Sequence, residues 1–421
     1  MNSAQTIPFQ AKTTTGLHVL RSPVSIALLI TAAQVLVACS LAGGHSLHEA
    51  YVRLYRWDGG WYASIINNGY FSPRVFSATD YGNVGFFPGY PLLAGGIKRL
   101  FRLSTPTALL VTAQVACWSF WTYLLLFFAR WQLPVRLRAL GVILVASHPA
   151  AFFLIASYSE SLFLTGVLGF LYWSGSPRRG SFWLAAAHGF VMTATRLVGV
   201  PVVIFPLCQS CSGTDAETKS RPTWLRRYGR AVLLGCVASL GAIFFFLYCQ
   251  VRFGAWDTYM RTGYYGWNIT PDFAGLFSLR IFKVHYPSMR DHLLDGEFFS
   301  RLSVPVALLF FVILTVAEFR IALSRPNSGW RERIALYVCA FLLLYIPVSA
   351  QSSRGMTSMF RYALCVQVLL SLIIMHLLGR LWPLEPKSDK RLVRLFTAWC
   401  VMCFVLQLLF AHRYAFGKWV A

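Results

Sequence analysis

Apolar stretches long enough to cross a lipid bilayer recur along almost the whole chain, from residue 22 to residue 412. A helix needs about 20 such residues to span a hydrocarbon core roughly 30 Å thick. Since 57% of the 421 residues are hydrophobic and only 13% are charged, the composition also argues against a water-soluble domain. The sequence predicts an all-α polytopic membrane protein with a single transmembrane domain over residues 1–421. Its apolar runs are 22–44, 105–129, 139–155, 160–174, 181–208, 231–251, 302–323, 334–350, 361–380 and 393–412.

Two segments decide how many times the chain is expected to cross the membrane. The stretch 86–100 contains closely spaced prolines and glycines and ends in Lys98 and Arg99, which suits an interfacial or re-entrant piece better than a span. The run 181–208 has Arg196 near its middle, and a lone arginine at bilayer depth is costly. We therefore split this run at Arg196, at an exposed turn, and predict about eleven transmembrane helices.

The basic residues between the apolar runs set the expected orientation. With the N-terminus in the cytoplasm, the inner segments carry 21 of the 38 Lys and Arg residues, although they are shorter than the outer segments. This agrees with the positive-inside tendency. Topology therefore explains the formal net charge of +23, and we expect no nucleic-acid partner. The parts predicted to lie outside are Arg196 and the loops 45–104, 156–159, 251–301 and 351–360.

Motifs for metal or nucleotide binding do not occur in the sequence. The nine histidines show no HExxH or similar ligand spacing, and there is no DxD-type acidic pair. Gly-rich loops of the GxxxxGK[ST] and GxGxxG kinds are also absent. Most of the ten cysteines lie inside apolar runs, so no disulfide framework is implied. We expect no required metal or cofactor, and a donor substrate that arrives in the membrane.

The first predicted outer loop contains a carboxylate among aromatic side chains. Arg56, Trp57 and Asp58 are consecutive, and Trp61 and Tyr62 follow closely. Aromatic rings stack on the face of a sugar, and a partly desolvated carboxylate can take a proton from an attacking hydroxyl. The loop therefore suits an enzyme that acts on sugars.

Two of the candidate motifs also have a purely structural interpretation. Asp58 is positioned to N-cap a short interfacial helix from Gly59 to Asn68, with the following glycine as its stop. Ser157 and Glu160 have the S-x-x-E spacing of a capping box that opens a helix. This second interpretation is compatible with function, because a helix N-terminus is also an anion site and can help to hold a phosphate.

Four arginines are expected at the outer face, namely Arg56, Arg196, Arg354 and Arg361. Arginine near a bilayer surface is often a snorkelling anchor, and Arg354 and Arg361 fit that interpretation. Arg196 lies in an otherwise apolar run and needs a partner, for which a phosphodiester or a carboxylate is the natural choice. These arginines, with the helix start from Ser157 to Glu160, are the candidate groups for binding a donor phosphate.

Four motifs follow one another along the first half of the chain. They are RWD at 56–58 with GY at 69–70, FFPGYP at 86–91, YSESLF at 158–163 and TRLVG at 195–199. In this order they resemble the PIG-V family of GT-C-type mannosyltransferases. The match covers about residues 50–205, and the second half is similar only in hydropathy and in an arginine-bearing loop near 351–362.

The resemblance implies a GT-C fold, a polyprenyl- or dolichyl-phosphate-linked sugar as donor, mannose as the sugar and Asp58 as the general base. The chain departs from the family pattern in two places. Trp61 stands where the family has a histidine, and 71–73 stand where the family has an acidic residue. These departures bear on acceptor and sugar specificity more than on the base or the donor-lipid site.

The sequence thus predicts a glycosyltransferase that moves a hexose, with inversion, to an acceptor hydroxyl at the extracytoplasmic or lumenal face. Trp57, Trp61 and Tyr62 are expected to hold the sugar. The acceptor is left open among glycolipid, glycan and protein, and the membrane is left open between a bacterial inner membrane and the endoplasmic reticulum.

Two other classes compete with an enzyme. A transporter or flippase of a lipid-linked saccharide would bind a similar substrate, but it needs polar groups along a path through the bundle. The central runs hold few such groups apart from Arg196 and Glu160. A non-catalytic scaffold gives no reason for an aspartate, aromatic rings and a buried arginine to occur together.

Overall fold

Helices of very different lengths make up the part of the protein that the structure describes. A computed structural model describes residues 22–211, 221–277, 296–324, 330–381 and 390–420. Within these ranges all regular secondary structure is helical. The predicted all-α class is therefore confirmed for the part of the chain that the structure describes.

The α-helices are numbered in chain order. The first half contains α1 (Pro23–Ala42), α2 (Leu47–Val52), α3 (Asp58–Asn68), α4 (Gly89–Phe101), α5 (Thr105–Arg130), α6 (Val135–Ala146), α7 (Glu160–Ser174), α8 (Ser181–Thr195) and α9 (Phe205–Cys211). The second half contains α10 (Arg221–Phe253), α11 (Thr258–Trp267), α12 (Gly296–Ser324), α13 (Trp330–Gln351), α14 (Met359–Leu381) and α15 (Lys390–Ala415). Short 3-10 helices cover Ala151–Leu154, Leu197–Ile204 and Ser352–Arg354.

Seven of the described helices are long and apolar enough to cross a membrane, so the chain is an integral membrane protein. They are α1, α5, α10, α12, α13, α14 and α15. Shorter helices of 12 to 15 residues, α6, α7 and α8, occupy three further predicted apolar runs. Because they are shorter than the roughly 20 residues of a straight span, the count of about eleven crossings stays a prediction.

Serine and proline mark where two of the spanning helices begin. The Ser22 hydroxyl accepts a hydrogen bond from the Ser25 N–H, and the Ser104 hydroxyl accepts one from the Thr107 N–H. In both helices a proline occupies the first turn, where its missing N–H leaves no hydrogen bond unmade. Local sequence therefore sets these two helix starts.

The predicted break at Arg196 is confirmed as a break in the helix. Helix α8 ends at Thr195, Arg196 has extended backbone angles (φ −153°, ψ 138°), and a 3-10 helix containing Pro201 follows. The expected exposed turn is wrong, because the Arg196 side chain is only 13% exposed. Its guanidinium is turned inward to a carboxylate partner, which belongs to the candidate active site.

Helix α7 is the most enclosed element of the bundle. Every residue from Glu160 to Leu171 is buried. Two glycines allow the close approach of α8, since a Cβ at Gly166 would lie 2.8 Å from the Met192 backbone and one at Gly169 would overlap the His188 ring. The first turn of α7, which carries Glu160, is therefore held at the centre of the protein.

The loops predicted to lie outside contain four of the remaining short helices. The first loop, 45–104, contains α2, α3 and α4. The stretch 86–100, predicted not to span, forms the 13-residue helix α4, which is not one of the seven long helices. The second loop, 251–301, contains α11, and its residues 278–295 lie outside the described residues.

Candidate active site

A cavity of about 220 Å³ lies where α3, α7, α11, α13 and α14 approach one another. Both halves of the chain contribute to its walls. The polar and charged side chains that line it are Asp58, Tyr62, Ser159, Thr195, Arg196, Gln351, Arg354, Ser358 and Arg361. Its aromatic lining consists of Phe86, Phe87, Tyr259, Trp267, Tyr362 and Trp419. The cavity thus combines charges with flat apolar surfaces, as sites for small polar ligands commonly do.

Asp58 is the first residue of α3 and is 19% exposed at the cavity wall. Its Oδ2 accepts a hydrogen bond of 2.8 Å from Nη1 of Arg361, near the start of α14. Within the described residues its Oδ1 has no hydrogen-bond partner. One carboxylate oxygen is therefore fixed by an arginine while the other remains available to a ligand.

The interpretation of Asp58 as a helix N-cap is wrong. The N-cap residue of α3 is Trp57, and no side chain caps the helix start. The predicted end of this helix is correct, because Gly69 follows Asn68 with φ 79° and donates its N–H to the Ile65 carbonyl. The local pattern therefore located the helix correctly. The Asp58 carboxylate, however, accepts a hydrogen bond from a distant arginine and none from the backbone of its own helix.

Glu160 is the second carboxylate of the site. Its Oε1 accepts hydrogen bonds from Nη2 of Arg196 at 2.5 Å and from Nη1 of Arg361 at 3.3 Å. The Glu160 side chain is fully buried, and those of Arg196 and Arg361 are 13% and 9% exposed. Arg196, Glu160, Arg361 and Asp58 thus form a continuous chain of alternating charges. Removing one member would leave an uncompensated buried charge.

The capping-box interpretation of Ser157 and Glu160 is also wrong. Helix α7 has Ser159 as its N-cap residue without a side-chain cap, and the Glu160 carboxylate binds arginines instead. Ser157 is fully buried and does not line the cavity. The Glu160 carboxylate itself lies in the first turn, where the helix dipole favours a negative charge.

Arg354 differs from the other cavity arginines because no carboxylate lies within ion-pair distance of it among the residues described. Its Nη1 is 3.5 Å from Oε1 of Gln351, a neutral amide. Arg196 and Arg361 are balanced by Asp58 and Glu160, so Arg354 leaves the site with a surplus of one positive charge. A cavity with this balance attracts an anion.

Ser159 and Tyr62 connect the charged chain to the aromatic wall. The Ser159 hydroxyl accepts hydrogen bonds from Nε of Arg196 at 3.0 Å and from the Tyr62 hydroxyl at 3.1 Å. Burial raises the pKa of Tyr62 above its ordinary value, with a further increase from the Asp58 charge, so the phenol remains protonated. The Tyr62 ring packs edge to face on Phe86 and Tyr90.

The remaining residues predicted for the site lie beside the cavity without lining it. Nη2 of Arg56 donates a hydrogen bond of 3.1 Å to the Ala415 carbonyl at the end of α15. Trp61 packs behind the wall, with ring centroids 5.9 Å from those of both Phe86 and Trp267. Trp57 is 43% exposed and packs on Trp419. Of the aromatic residues proposed to hold a sugar, only Tyr62 reaches the cavity directly.

Several lining residues were not predicted from the sequence. Tyr259 and Trp267 lie on α11, in a stretch where aromatic residues are dense, and that density is a usable signal for a wall of a sugar site. Gln351 and Ser358 flank Arg354 and carry no motif. Within the described residues no group of three His, Cys, Asp or Glu side chains is arranged to hold a metal ion.

No protein-family model and no curated protein matches the chain. Among solved structures it is similar to the archaeal oligosaccharyltransferase AglB from Archaeoglobus fulgidus in complex with an inhibitory peptide and a dolichol-phosphate. The TM-score is 0.45 at 13% identity, over 92% of this chain and 56% of that one. The apo form of the Archaeoglobus fulgidus oligosaccharyltransferase gives a TM-score of 0.48 at 13% identity, with coverages of 93% and 55%. Its complex with Zn and sulfate gives 0.48 at 14%, with coverages of 94% and 53%. The chain spans about half the length of these structures, and no family membership follows from likeness at this level.

Proposed function

We propose that the protein is a membrane glycosyltransferase of the GT-C type. It transfers a hexose, expected to be mannose, from a polyprenyl- or dolichyl-phosphate-linked donor to an acceptor hydroxyl, with inversion at the anomeric carbon. The reaction takes place at the extracytoplasmic or lumenal face of a bacterial inner membrane or of the endoplasmic reticulum.

One observation carries the proposal: Asp58 and Arg354 line the same cavity. A transferase of this kind needs a carboxylate to receive a proton and a cation to receive the departing phosphate. Asp58 has an oxygen without a hydrogen-bond partner in the described residues, and Arg354 is without a carboxylate partner there. The two groups have complementary roles in one displacement.

In the proposed step the acceptor oxygen forms a bond to the anomeric carbon of the donor sugar. Its proton passes to Oδ1 of Asp58, and the bond from the anomeric carbon to the phosphate oxygen breaks with its electron pair going to the phosphate. Attack opposite the leaving group inverts the anomeric carbon. Arg354 stabilises the negative charge that develops on the released lipid phosphate.

The buried charges hold the base in position. Arg361 fixes Oδ2 of Asp58, and Glu160 fixes Arg361 in turn. Arg196 binds the same Glu160 oxygen, and it lines the cavity together with Arg361. Of the residues that the sequence predicted to bind the donor phosphate, Arg354 is the one we propose as the main contact, with Arg196 and Arg361 nearby. Glu160 becomes a positioning residue behind Arg196 and Arg361, and Ser157 becomes one that packs against Gly59, the neighbour of Asp58.

The sugar of the donor is proposed to contact the aromatic wall. Tyr62, Phe86 and Trp267 line the cavity, and Trp61 packs behind the last two rings. Large aromatic surfaces with a few polar groups fix a small ligand in orientation. In this arrangement Trp61 supports the sugar site through its neighbours.

The test compares the wild-type protein with Asp58→Asn in lipid nanodiscs that contain radiolabelled polyprenyl-phosphate-mannose and a mixed acceptor extract. Asp257→Asn is a matched control, because Asp257 also pairs with an arginine, Arg261, but does not line the cavity. We expect product from the wild type and from Asp257→Asn. Asp58→Asn should still bind the donor but form no product.

Two results would overturn the proposal. Full transfer by Asp58→Asn would exclude Asp58 as the base. Movement of intact lipid-linked sugar across the membrane of sealed vesicles that contain the wild type, with no bond broken, would instead establish the transporter alternative.

A further inference from the structure

Two tryptophans meet beside the proposed base, and only one of them belongs to the motif around it. Trp57 immediately precedes Asp58, and Trp419 lies after the end of α15. Their ring centroids are 5.1 Å apart at an interplanar angle of 81°. Trp419 lines the cavity, and Trp57 leaves 43% of its surface exposed beside it.

We propose that Trp57 and Trp419 form the acceptor subsite, where they bind the pyranose ring of a sugar-bearing acceptor. This inference rests on the proposed function and deepens it by naming the acceptor class. It favours a glycan or glycolipid acceptor over the side-chain hydroxyl of a protein.

The backbone at Trp57 is the first observation in support. Its φ of 50° with ψ of −109° lies outside the regions that non-glycine residues ordinarily adopt. Such a conformation costs free energy, and it persists only where the surrounding structure imposes it. At this position it turns a large apolar ring toward solvent next to the carboxylate at the start of α3.

A set of hydrogen bonds attaches the segment that carries Trp419 to the segment that carries Trp57. Nη2 of Arg56 donates to the Ala415 carbonyl, and the Tyr414 hydroxyl donates to the Leu54 carbonyl at 3.2 Å. After α15 the chain turns back at Gly417, where φ is 74°, and the Lys418 N–H bonds to the Arg413 carbonyl at 2.9 Å. Arg56, predicted from the sequence as a phosphate ligand, is assigned here to the positioning of this pair of rings.

Packing fixes the same segment from its other side. Val420 is 1% exposed, and a Cβ at Gly296 would overlap its backbone. Residues on both sides of Trp419 are therefore held, which leaves its ring a restricted range of positions. A fixed ring loses little conformational entropy when a ligand binds to it.

The chemistry of the two rings selects a sugar. One face of a pyranose presents polarised C–H bonds, which are attracted to the electron-rich face of an indole. The hydroxyl to be deprotonated must lie at Asp58, the residue next to Trp57. Arg354, the proposed phosphate contact, follows α13, so the acceptor and the leaving group are assigned to different elements of the site.

The test uses Trp419→Ala and Trp419→Phe in the full-length protein in nanodiscs, with Trp256→Ala as the control. Trp256 is 57% exposed and does not line the cavity. The probes are methyl α- and β-hexopyranosides and a threonine-containing tripeptide, with polyprenyl-phosphate-mannose as donor. Acceptor KM, kcat and donor binding are measured separately.

We expect Trp419→Ala to raise the glycoside KM roughly tenfold while donor binding is unchanged. Trp419→Phe, which retains an aromatic face, should recover most of the loss, and Trp256→Ala should behave as the wild type. A glycoside KM unchanged in Trp419→Ala would overturn the inference. Transfer by the wild type to the peptide in preference to the glycosides would overturn it as well.

A binding measurement distinguishes failure of this inference from failure of the proposed function. Methyl glycosides are titrated into the wild type and into Trp419→Ala, with tryptophan fluorescence as readout and donor absent. A glycoside-dependent signal that is lost with Trp419 supports the subsite even if no transfer occurs. If the wild type transfers sugar but gives no such signal, the acceptor-subsite inference is wrong and the proposed transferase function still holds.

Discussion

The carboxylate of Asp58 and the guanidinium of Arg361 are joined by a hydrogen bond of 2.8 Å although 303 positions separate them in the chain. Arg361 also reaches Glu160 through the same nitrogen. The contact therefore connects the motif around Asp58, the start of α7 and the start of α14. The orientation of the proposed base depends on all three elements.

Gly59 provides a steric test of this orientation. A Cβ at Gly59 would overlap the Ser157 Oγ and lie 2.9 Å from the Tyr55 ring. We expect Gly59→Ala to displace the first turn of α3 and with it Asp58. A shift of this kind lowers the transfer rate roughly a hundredfold.

Gly60 is the matched control because a Cβ there would meet nothing within 4 Å. Gly60→Ala should keep full activity and gain about 0.5–1 kcal/mol in stability, since alanine is the better helix former. Transfer rates and thermal unfolding of the two variants are compared side by side. Equal activity of both would show that the packing of Gly59 on Ser157 does not position Asp58.

Glu160 is predicted to stabilise the protein as well as the site. Glu160→Gln leaves Arg196 and Arg361 buried without their shared carboxylate, and breaking a buried ion pair in this way costs about 3–5 kcal/mol. We expect a clear decrease in unfolding temperature and loss of transfer. The measurement is thermal unfolding in the same nanodiscs as the activity assay.

Glu49→Gln is the control for that change. Glu49 pairs with Arg53 at 2.6 Å in an i,i+4 geometry, and its side chain is 39% exposed. Exposed pairs contribute little, so the unfolding temperature should stay essentially unchanged. Similar effects of the two substitutions would mean that burial of the Glu160 network does not govern stability.

The local sequence patterns predicted the helix ends, but they could not supply these tertiary partners. The stop at Gly69 follows from the backbone preference of glycine, and the break at Arg196 follows from the cost of a charge within an apolar run. Both signals lie within a few residues of the chain. Ser157 and Glu160 have capping-box spacing, yet two distant arginines bind the glutamate. A tertiary ion pair outweighs a local cap, and one sequence does not show which partner a buried carboxylate finds.

For the candidate site too, the sequence predicted the residues that belong to a local motif but not those that only the tertiary fold brings in. Asp58 and Tyr62 belong to a compact motif of a charge among aromatics, and both line the cavity. Trp61 belongs to the same motif but packs behind the wall. Trp419 lies far from any motif, and only the return of the chain after α15 brings it to the site.

Arg354 is expected to govern donor affinity. Arg354→Ala removes the cavity arginine without a carboxylate partner in the described residues, while the paired charges remain. Hydrogen bonds to a charged group contribute about 1.5–3 kcal/mol, so donor binding should weaken roughly tenfold to a hundredfold. Arg354→Lys should restore part of the affinity, because it keeps the charge but not the planar fork.

The control for Arg354 is Arg261→Ala, at a side chain that is 51% exposed and does not line the cavity. Binding of polyprenyl-phosphate-mannose is measured at low and at high salt. Arg261→Ala should bind as the wild type, and the salt dependence should decrease in Arg354→Ala. Unaltered donor affinity in Arg354→Ala would assign the phosphate to Arg196 or Arg361.

The orientation in the membrane can be tested at two equally exposed valines. Val75 lies in the predicted first outer loop and is 81% exposed, and Val135 lies in a predicted inner segment and is 79% exposed. Cysteine is introduced at each position after the exposed Cys211 and Cys236 are replaced by serine. A membrane-impermeant maleimide is then applied to intact cells and to permeabilised cells.

The result depends on whether α4 crosses the membrane, because α4 and α5 are the helices between the two positions. Helix α5 has 26 residues and is long enough to span, whereas α4 has 13 and would cover about 20 Å of a hydrocarbon core roughly 30 Å thick. One crossing places Val75→Cys and Val135→Cys on opposite faces. We therefore expect labelling of Val75→Cys alone in intact cells, and of both after permeabilisation. Labelling of both in intact cells would make α4 a second crossing. Labelling of Val135→Cys alone would reassign Asp58, which precedes α4 as Val75 does, to the cytoplasmic face.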